Sequence, residues 1–218
     1  MKNRKFYNFA RDETTGGREL FIDGEISSAQ WFGDEITPRD FKEQLFSGNG
    51  DITLWISSPG GCVISASEIY SMLKDYQGEI TVKIYGMAAS AATIIAMAGD
   101  KILMSPTALF LIHNPWTVAV GDKSEMQKAS ATLDAVKESI INAYEIRTGL
   151  PRAKISRLMD LEQAMDANYA IALGFADGMI EGEPKSEKPP TEPIAENKTT
   201  VQSCIARLNL LSGGKTYV

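Results

Sequence analysis

The stretch ITVKIYGMAASAATIIAMAG, residues 80–99, indicates the fold class of this chain. Apolar and polar residues alternate over Ile80–Tyr85, which is typical of a half-buried strand. Gly86 permits a tight turn, and the alanine-rich run over 88–97 has the composition of a close-packed helix. A strand followed at once by a helix is the unit that builds parallel sheets, so this stretch predicts an α/β fold.

The same alternation continues on both sides of this unit. Thr37 is a favourable N-cap for a helix, and Pro38 fits its first turn, where the missing N–H is not needed. Strands and helices that alternate in this way predict parallel strands joined by right-handed crossovers. The further strands are predicted at residues 19–23, 51–56, 102–104 and 108–112, and a further helical pattern covers residues 64–73.

A long helix is predicted over about residues 123–148, because its apolar residues form one stripe at steps of three and four. Gly149 and Pro151 end this helix. The stripe fits packing on the same domain and packing on another subunit equally well. Its members are Met126, Ala129, Leu133, Val136, Ile140 and Tyr144.

The remainder of the chain is predicted to complete one folded domain and then to change character. Asp166 is expected to cap a short helix that ends at Gly174, and residues 175–180 are expected to form a last strand. From Glu181 onward proline and charged residues replace apolar ones, which is typical of a solvated linker. The predicted parts are an N-terminal segment, a folded domain, a linker and a short C-terminal helix with its tail, at residues 1–18, 19–181, 182–200 and 201–218.

Composition argues against several classes of function. Acidic residues outnumber basic ones by 28 to 22, and the net charge of −6 argues against a protein that binds duplex nucleic acid. His113 is the single histidine, and Cys62 and Cys204 have no metal-binding spacing, so we predict neither a metal nor another cofactor. No apolar run is long enough to cross a membrane, and no apolar h-region of a secretory signal follows the basic N-terminus. The absence of such a signal and two unpaired cysteines indicate a cytoplasmic protein.

Two small-residue segments have features that suit acyl chemistry. Ser90 is flanked by alanines where a strand gives way to a helix, and a helix start offers unpaired N–H groups beside a nucleophilic hydroxyl. The segment Ser58–Gly61 follows a strand, and its adjacent glycines leave backbone N–H groups uncovered, as one half of an oxyanion hole requires. A close-packed core helix and an ordinary turn explain the same two segments without any chemistry.

His113 ends an apolar strand, and Pro115 favours an extended backbone before it. A structural histidine is one explanation, but an imidazole among apolar neighbours is costly to bury without a partner. A serine at a helix start and a histidine at a strand end, one crossover later, are what a serine hydrolase needs. A third, orienting acid would come from Asp160, Glu162 or Asp166, each of which also fits a solvated surface charge.

Three segments together resemble the Clp protease proteolytic subunit family. They are Ser58-Pro-Gly-Gly61, Gly86-Met-Ala-Ala-Ser90 and Ile112-His-Asn-Pro115, and the resemblance extends over about residues 19–181. More narrowly, residues 32–38 and 113–116 resemble the Clp-like head-maturation proteases of tailed phages and prophages. The resemblance implies a crotonase-like αβ spiral of stacked βαβ units, with the helix at about 123–148 as a protruding handle by which rings stack.

The resemblance also implies roles for single residues. It makes the protein a serine endopeptidase with Ser90 as nucleophile, His113 as general base, and the N–H groups of Gly61 and Ala91 as oxyanion hole. Counting back from Gly174-Phe-Ala-Asp177, which resembles a closing family motif, gives Glu162 as the acid where the Clp subunit itself has aspartate, with Asp160 as second choice. Ser57 stands where the family usually has asparagine.

Partners follow from the same resemblance. It implies a polypeptide substrate, a homo-oligomer of stacked rings, and either an AAA+ ATPase or phage capsid and scaffold proteins, in the cytoplasm or, for a phage protein, in the host cytoplasm. The tail after Glu181, which the short bacterial enzyme lacks, fits the phage role. Three alternatives remain: a crotonase-type acyl-CoA enzyme, a Ser/Lys hydrolase with Lys123 as base, and a catalytically silent ring-forming assembly protein.

Overall fold

A largely parallel sheet forms the centre of the fold in the computed structural model, which describes residues 10–11, 17–29 and 35–180. In this part of the chain the strands are β1 (Ala10–Arg11), β2 (Arg18–Ile26), β3 (Ile52–Gly61), β4 (Ile80–Ala89), β5 (Lys101–Met104), β6 (Leu109–Leu111), β7 (Ala164–Met165) and β8 (Gly178–Met179). The helices are α1 (Pro38–Leu45), α2 (Val63–Lys74), α3 (Ala91–Ala96), α4 (Lys123–Thr148), α5 (Arg152–Asp160) and α6 (Ala167–Ala172).

The strand order is β1-β2-β3-β4-β5-β8, and all neighbours from β2 to β8 are parallel. β4 has two partners on one side. Its first half pairs with β5, whereas Met87–Ala89 pairs in parallel with β6, which in turn pairs antiparallel with β7. This layout confirms the predicted α/β spiral, and it brings the ends of β4, β6 and β7 to one place.

The core lies under one face of the sheet. Alternate residues of β2, β3 and β4 point into it, and the short helix α3 is buried along its whole length. Burial of each leucine or isoleucine contributes on the order of 1.5–3 kcal/mol. Thr37 caps α1 as predicted, since its hydroxyl accepts a bond from Asp40 N at 3.2 Å. The inward-facing strand residues include Leu20, Ile22, Leu54, Ile56, Val82 and Ile84.

Three strands are longer at their C-terminal ends than the sequence predicts, and one of them is β2, which covers Arg18–Ile26 where the prediction gives residues 19–23. Residues 57–61 were expected to form a turn but belong to β3, because Gly60 and Gly61 still pair with β2 after a register shift. β4 likewise continues past Gly86 to Ala89, which pairs with Leu111 of β6. Bulges of this kind let a strand bend and still keep its ladder, and they also accommodate Pro59 inside a strand.

Helix α4 agrees with the prediction over residues 123–148. Asp122 caps its start, accepting from Ser124 N and Glu125 N, and Gly149 ends it in the left-handed region. The residues of α4 that this chain buries all lie in the C-terminal half of the helix, and they are Ile140, Ile141, Ala143 and Tyr144. The N-terminal half of the predicted stripe stays partly exposed, and Met126 is 40% exposed.

The segment after α4 differs more from the prediction. Helix α5 and the two-residue strand β7 were not predicted, the last strand is shortened to Gly178–Met179, and α6 ends at Ala172 before Gly174. The predicted linker at 182–200 and the C-terminal helix and tail at 201–218 lie outside the described residues, as does most of the predicted segment 1–18. None of the helices in the described ranges has the length and hydropathy needed to cross a bilayer.

Candidate active site

Ser90 connects β4 to α3 in a strained backbone conformation. Its φ of 53° and ψ of −126° are unusual for a residue with a side chain, and such strain costs about 1–3 kcal/mol unless surrounding bonds hold it. Ser90 N donates to Leu111 O at 2.9 Å, and the Ser90 carbonyl accepts from Thr93 N at 3.0 Å. The first of these bonds joins the residue to β6 and the second starts α3, so the peptide groups before and after Ser90 are both held.

Gly60, near the end of β3, lies directly against this serine. A Cβ atom at Gly60 would lie 2.7 Å from Ser90 Cβ and 2.9 Å from Ala91 N, and the φ of 96° is one that glycine adopts readily. Ala91 N is the first amide of α3, so no carbonyl within the helix accepts its proton. The close approach therefore places the two predicted oxyanion-hole segments side by side.

The other glycine of the pair, Gly61, still pairs with Ile26 of β2 and is exposed. The buried Ser58 hydroxyl holds this strand end, because it donates to Gly24 O at 2.6 Å and accepts from Gly60 N at 3.1 Å. The Gly60 amide is thus engaged, and the Gly61 amide remains the candidate donor for an oxyanion.

His113 follows β6, two residues after Leu111, whose carbonyl accepts from Ser90 N. Because β4 and β6 are parallel neighbours, Ser90 and His113 leave the sheet at the same edge. The imidazole is half-buried. Burial lowers its pKa from the ordinary histidine value, while the charge of Glu162 and a bond to the Asn114 backbone raise it.

Glu162 is brought opposite His113 by the strand register. The strands pair antiparallel, with Phe110 opposite Met165 and Leu111 opposite Ala164, and Ile112 N donates to Gln163 O at 3.1 Å. The next position in the same register is His113 opposite Glu162. Glu162 also has a positive φ of 49°.

The other candidate acids lie in different surroundings. Asp160 Oδ1 accepts from Lys137 Nζ at 2.6 Å and from Asn114 Nδ2 at 2.9 Å, and these bonds lower its pKa. Asp166 caps α6, where it accepts from Tyr169 N at 2.8 Å. Within residues 17–29 and 35–180, no group of three histidine, cysteine, aspartate or glutamate residues is placed to hold a metal ion.

Three residues that the sequence does not connect with Ser90 belong to the surroundings of the site. Gly60 contacts Ser90, Thr93 Oγ1 donates to the Ser90 carbonyl, and the Tyr144 hydroxyl lies 2.6 Å from Thr93 Oγ1. Gly60 was visible in the sequence as part of the glycine pair. The contact between Thr93 and Tyr144 joins distant parts of the chain, and no local pattern signals it.

Comparison with known proteins relates the chain to one family. A family model described as Clp protease matches residues 39–183. A protein named ATP-dependent Clp protease proteolytic subunit from Sorghum bicolor is 32% identical over 180 residues, which cover 81% of this chain and 82% of that protein. ATP-dependent Clp protease proteolytic subunit 1 from Rhodococcus jostii is 32% identical over 156 residues, covering 68% and 71% of the two chains.

Proposed function

This chain belongs to the Clp protease family, and we propose that it cleaves peptide bonds with Ser90 as nucleophile, His113 as general base and Glu162 as orienting acid. The enzyme class, a serine-type endopeptidase, is that of the family. The observation that carries the residue assignment is the meeting of three strands: β4 leads to Ser90, β6 leads to His113, and β7 follows Glu162. This meeting of strand ends supports the assignment, because a serine, a base and an acid must lie close together in a serine hydrolase.

The first half of the proposed reaction forms an acyl-enzyme. Ser90 Oγ attacks the carbonyl carbon of the peptide bond while the His113 imidazole takes the hydroxyl proton. The carbonyl π electrons move to oxygen, and the N–H groups of Gly61 and Ala91 bind this oxyanion. When the carbonyl reforms, the C–N bond breaks and the imidazolium gives its proton to the departing amine.

The second half releases the product. His113 takes a proton from water as the water oxygen attacks the acyl carbon, and the same two amides bind the second oxyanion. The C–O bond to Ser90 then breaks, the imidazolium returns its proton to Ser90 Oγ, and the carboxylic acid leaves. The Glu162 charge stabilises the imidazolium in both halves, which is why it raises the His113 pKa against the effect of burial.

The surroundings of the acids favour Glu162 over Asp160. The register places Glu162 across from His113, whereas the Asp160 carboxylate is engaged by Lys137 and Asn114. A Ser/Lys mechanism through Lys123 is less well supported, because Lys123 is exposed at the start of α4. The strained Ser90 also argues against an acyl-CoA enzyme or a silent assembly protein, neither of which needs a serine held in this way.

Assembly into stacked rings is part of the proposal. The partly exposed apolar stripe at the N-terminal half of α4 supports it, since the described part of the chain does not cover these side chains. The named relatives are subunits of ATP-dependent proteases, so an AAA+ ATPase and a polypeptide substrate are the corresponding partners. A cytoplasmic location stays a prediction from the sequence. Processing of phage capsid or scaffold proteins stays a prediction from residues 32–38 and 113–116 and from the tail after Glu181.

Replacement of the nucleophile tests the proposed function. Ser90→Ala should abolish cleavage of an unfolded protein, because no hydroxyl remains to form the acyl-enzyme. Ser71→Ala is the matched control, since the Ser71 hydroxyl donates to Ser67 O on the exposed face of α2, and its cleavage rate should be unchanged. A Ser90→Ala enzyme that still cleaves at the wild-type rate would show that the nucleophile lies elsewhere.

A further inference from the structure

Two strained residues share the proposed active site. Among the residues that the structure describes, Ser90 and Glu162 are the only non-glycine positions with positive φ, at 53° and 49°. Backbone in such conformations persists only where surrounding contacts hold it. The groups that hold these two residues therefore also set the geometry of the proposed nucleophile and acid. The turn at Glu162 is held by the end of α5, since Glu162 N donates to Met159 O at 3.0 Å. The end of α5 and the Ser90 segment are in turn both connected to helix α4.

The backbone of Ser90 is joined to α4 through two hydroxyl groups. Thr93 Oγ1 donates to the Ser90 carbonyl at 2.5 Å, and the Tyr144 hydroxyl lies 2.6 Å from Thr93 Oγ1. Because the single hydroxyl proton of Thr93 is given to Ser90, Tyr144 is the donor to Thr93. Tyr144 is fully buried, and burial raises the pKa of its phenol, so the donated proton stays in place at neutral pH.

The turn that carries Glu162 is joined to the same helix by an ion pair. Lys137 Nζ donates to Asp160 Oδ1 at 2.6 Å, and Asn114 Nδ2 donates to the same oxygen at 2.9 Å. Asp160 ends α5 just before Glu162, and Asn114 directly follows His113. The Lys137 side chain is 22% exposed and the Asp160 side chain is 54% exposed, so the pair is open to solvent on the Asp160 side. One carboxylate oxygen thus connects α4 to both segments.

Both connections start from one face of α4. Lys137 and Tyr144 are two helical turns apart, about 10.5 Å along the axis. A helix keeps this distance fixed because its backbone hydrogen bonds are internal. The nucleophile segment and the segments of the base and acid come from separate parts of the sheet, and α4 is connected to them through Thr93 and Asp160.

We propose that Lys137 and Tyr144 are positioning residues that set the distance between Ser90 and the His113–Glu162 pair. This inference rests on the proposed function, because it takes those three residues as the catalytic groups. Lys137 and Tyr144 act through Asp160 and Thr93 and not on the substrate. Loss of either connection lowers kcat and leaves KM unchanged, since misplacement of a reacting group by about 1 Å costs up to ~100-fold in rate.

Tyr144→Phe tests the connection to Ser90. It removes one hydroxyl and keeps the ring in the core, so we expect kcat for a fluorogenic peptide to fall about ten-fold with KM unchanged. Tyr76→Phe is the matched control, because its hydroxyl donates to Gly50 O at 2.8 Å and accepts from Arg18 Nη1 at 2.9 Å near the opposite end of β3. The control loses both of these hydrogen bonds away from the proposed site, and its kcat should equal that of the wild type.

Lys137→Met tests the connection to the base and acid. We expect kcat to fall about ten-fold, and the acid limb of kcat/KM to move to lower pH, because the Glu162 charge that raises the His113 pKa is displaced. In Tyr144→Phe this limb should not move. Lys137→Arg keeps a charged donor and should restore most of the rate.

Arg152→Met is the matched control for the ion pair. Arg152 also binds α5 to α4, through Glu138 and Glu145, but it does so at the start of α5, away from Asp160. Its loss weakens the same pair of helices without touching the turn of Glu162. We expect its kcat and its pH profile to match the wild type.

The variants separate this inference from the proposed function. If Ser90→Ala is inactive while Tyr144→Phe and Lys137→Met lower kcat no more than their controls, the positioning roles are wrong and the nucleophile stands. If Ser90→Ala still cleaves, the proposed function itself is wrong. Should Tyr144→Phe fail to fold by circular dichroism, Thr93→Val removes the same connection and carries the same expectation.

Discussion

At Gly60, a single missing carbon atom determines how closely β3 approaches the nucleophile. An added Cβ would lie 2.6 Å from Ala89 O and 2.7 Å from Ser90 Cβ, closer than non-bonded atoms come. Ser90 itself is held at positive φ by bonds to Leu111 and Thr93. The proposed site thus depends on a residue that carries no functional group and on one whose backbone is strained.

Gly60→Ala should therefore reduce activity as well as stability. We expect kcat/KM to fall by at least ~10-fold and the free energy of unfolding to fall by about 1–3 kcal/mol. Gly50→Ala is the matched control, because Gly50 has a similar φ of 98° but nothing within 4 Å of its added Cβ. Equal losses of activity in the two variants, measured with a peptide substrate, would contradict the role given to the Gly60 contact.

The pH dependence of the reaction should report the environment of His113. Burial lowers its pKa below the ordinary value of 6.5, and a general base works when it is neutral, so the acid limb of kcat/KM should have its midpoint below pH 6.5. The Glu162 charge raises this pKa, so Glu162→Gln should move the midpoint to still lower pH and reduce the plateau rate. A midpoint that rises in Glu162→Gln would show that Glu162 does not face the imidazole.

Among the elements, α4 has two halves with different surroundings. Its C-terminal half packs on the core through Ile140, Ile141 and Tyr144, whereas Met126 and Leu133 in the N-terminal half are at most partly covered. A helix that keeps an apolar stripe beyond the edge of its own domain is typical of contact with another subunit.

Leu133→Glu should disrupt the proposed stacking of rings. A buried carboxylate in an apolar contact is costly, so the mass in solution should fall, while circular dichroism stays that of a folded protein. Ala131→Glu is the matched control, because it adds the same charge to an exposed position on the opposite face of α4. An unchanged mass for Leu133→Glu by light scattering would contradict this use of the stripe.

For the molecule as a whole, local sequence patterns predicted the helices and strands better than the tertiary contacts between them. The alternation of strands and helices, the Thr37 and Asp166 caps and the extent of α4 follow from propensity and periodicity, and the structure confirms them. The continuation of β3 to Gly61 could not be predicted, because pairing with β2 across a bulge overrides the turn signal of Pro-Gly.

In the candidate site, too, the sequence indicates single residues but not the contacts between them. Segments 58–61, 86–90 and 112–115 are recognisable in the sequence, so Ser90 and His113 could be chosen as candidates. The pairing of His113 with Glu162 depends on β7, a strand of two residues that is too short to leave a pattern. The bond between Thr93 and Tyr144 depends on tertiary packing alone.

The most direct test of the whole account is the location of a covalent fluorophosphonate adduct on the wild-type chain, read by mass spectrometry of its peptides. Fluorophosphonates react with an activated serine hydroxyl, so the account predicts one adduct, on Ser90, and none on Ser90→Ala. An adduct on another serine, or none on a preparation that cleaves an unfolded protein, would contradict it.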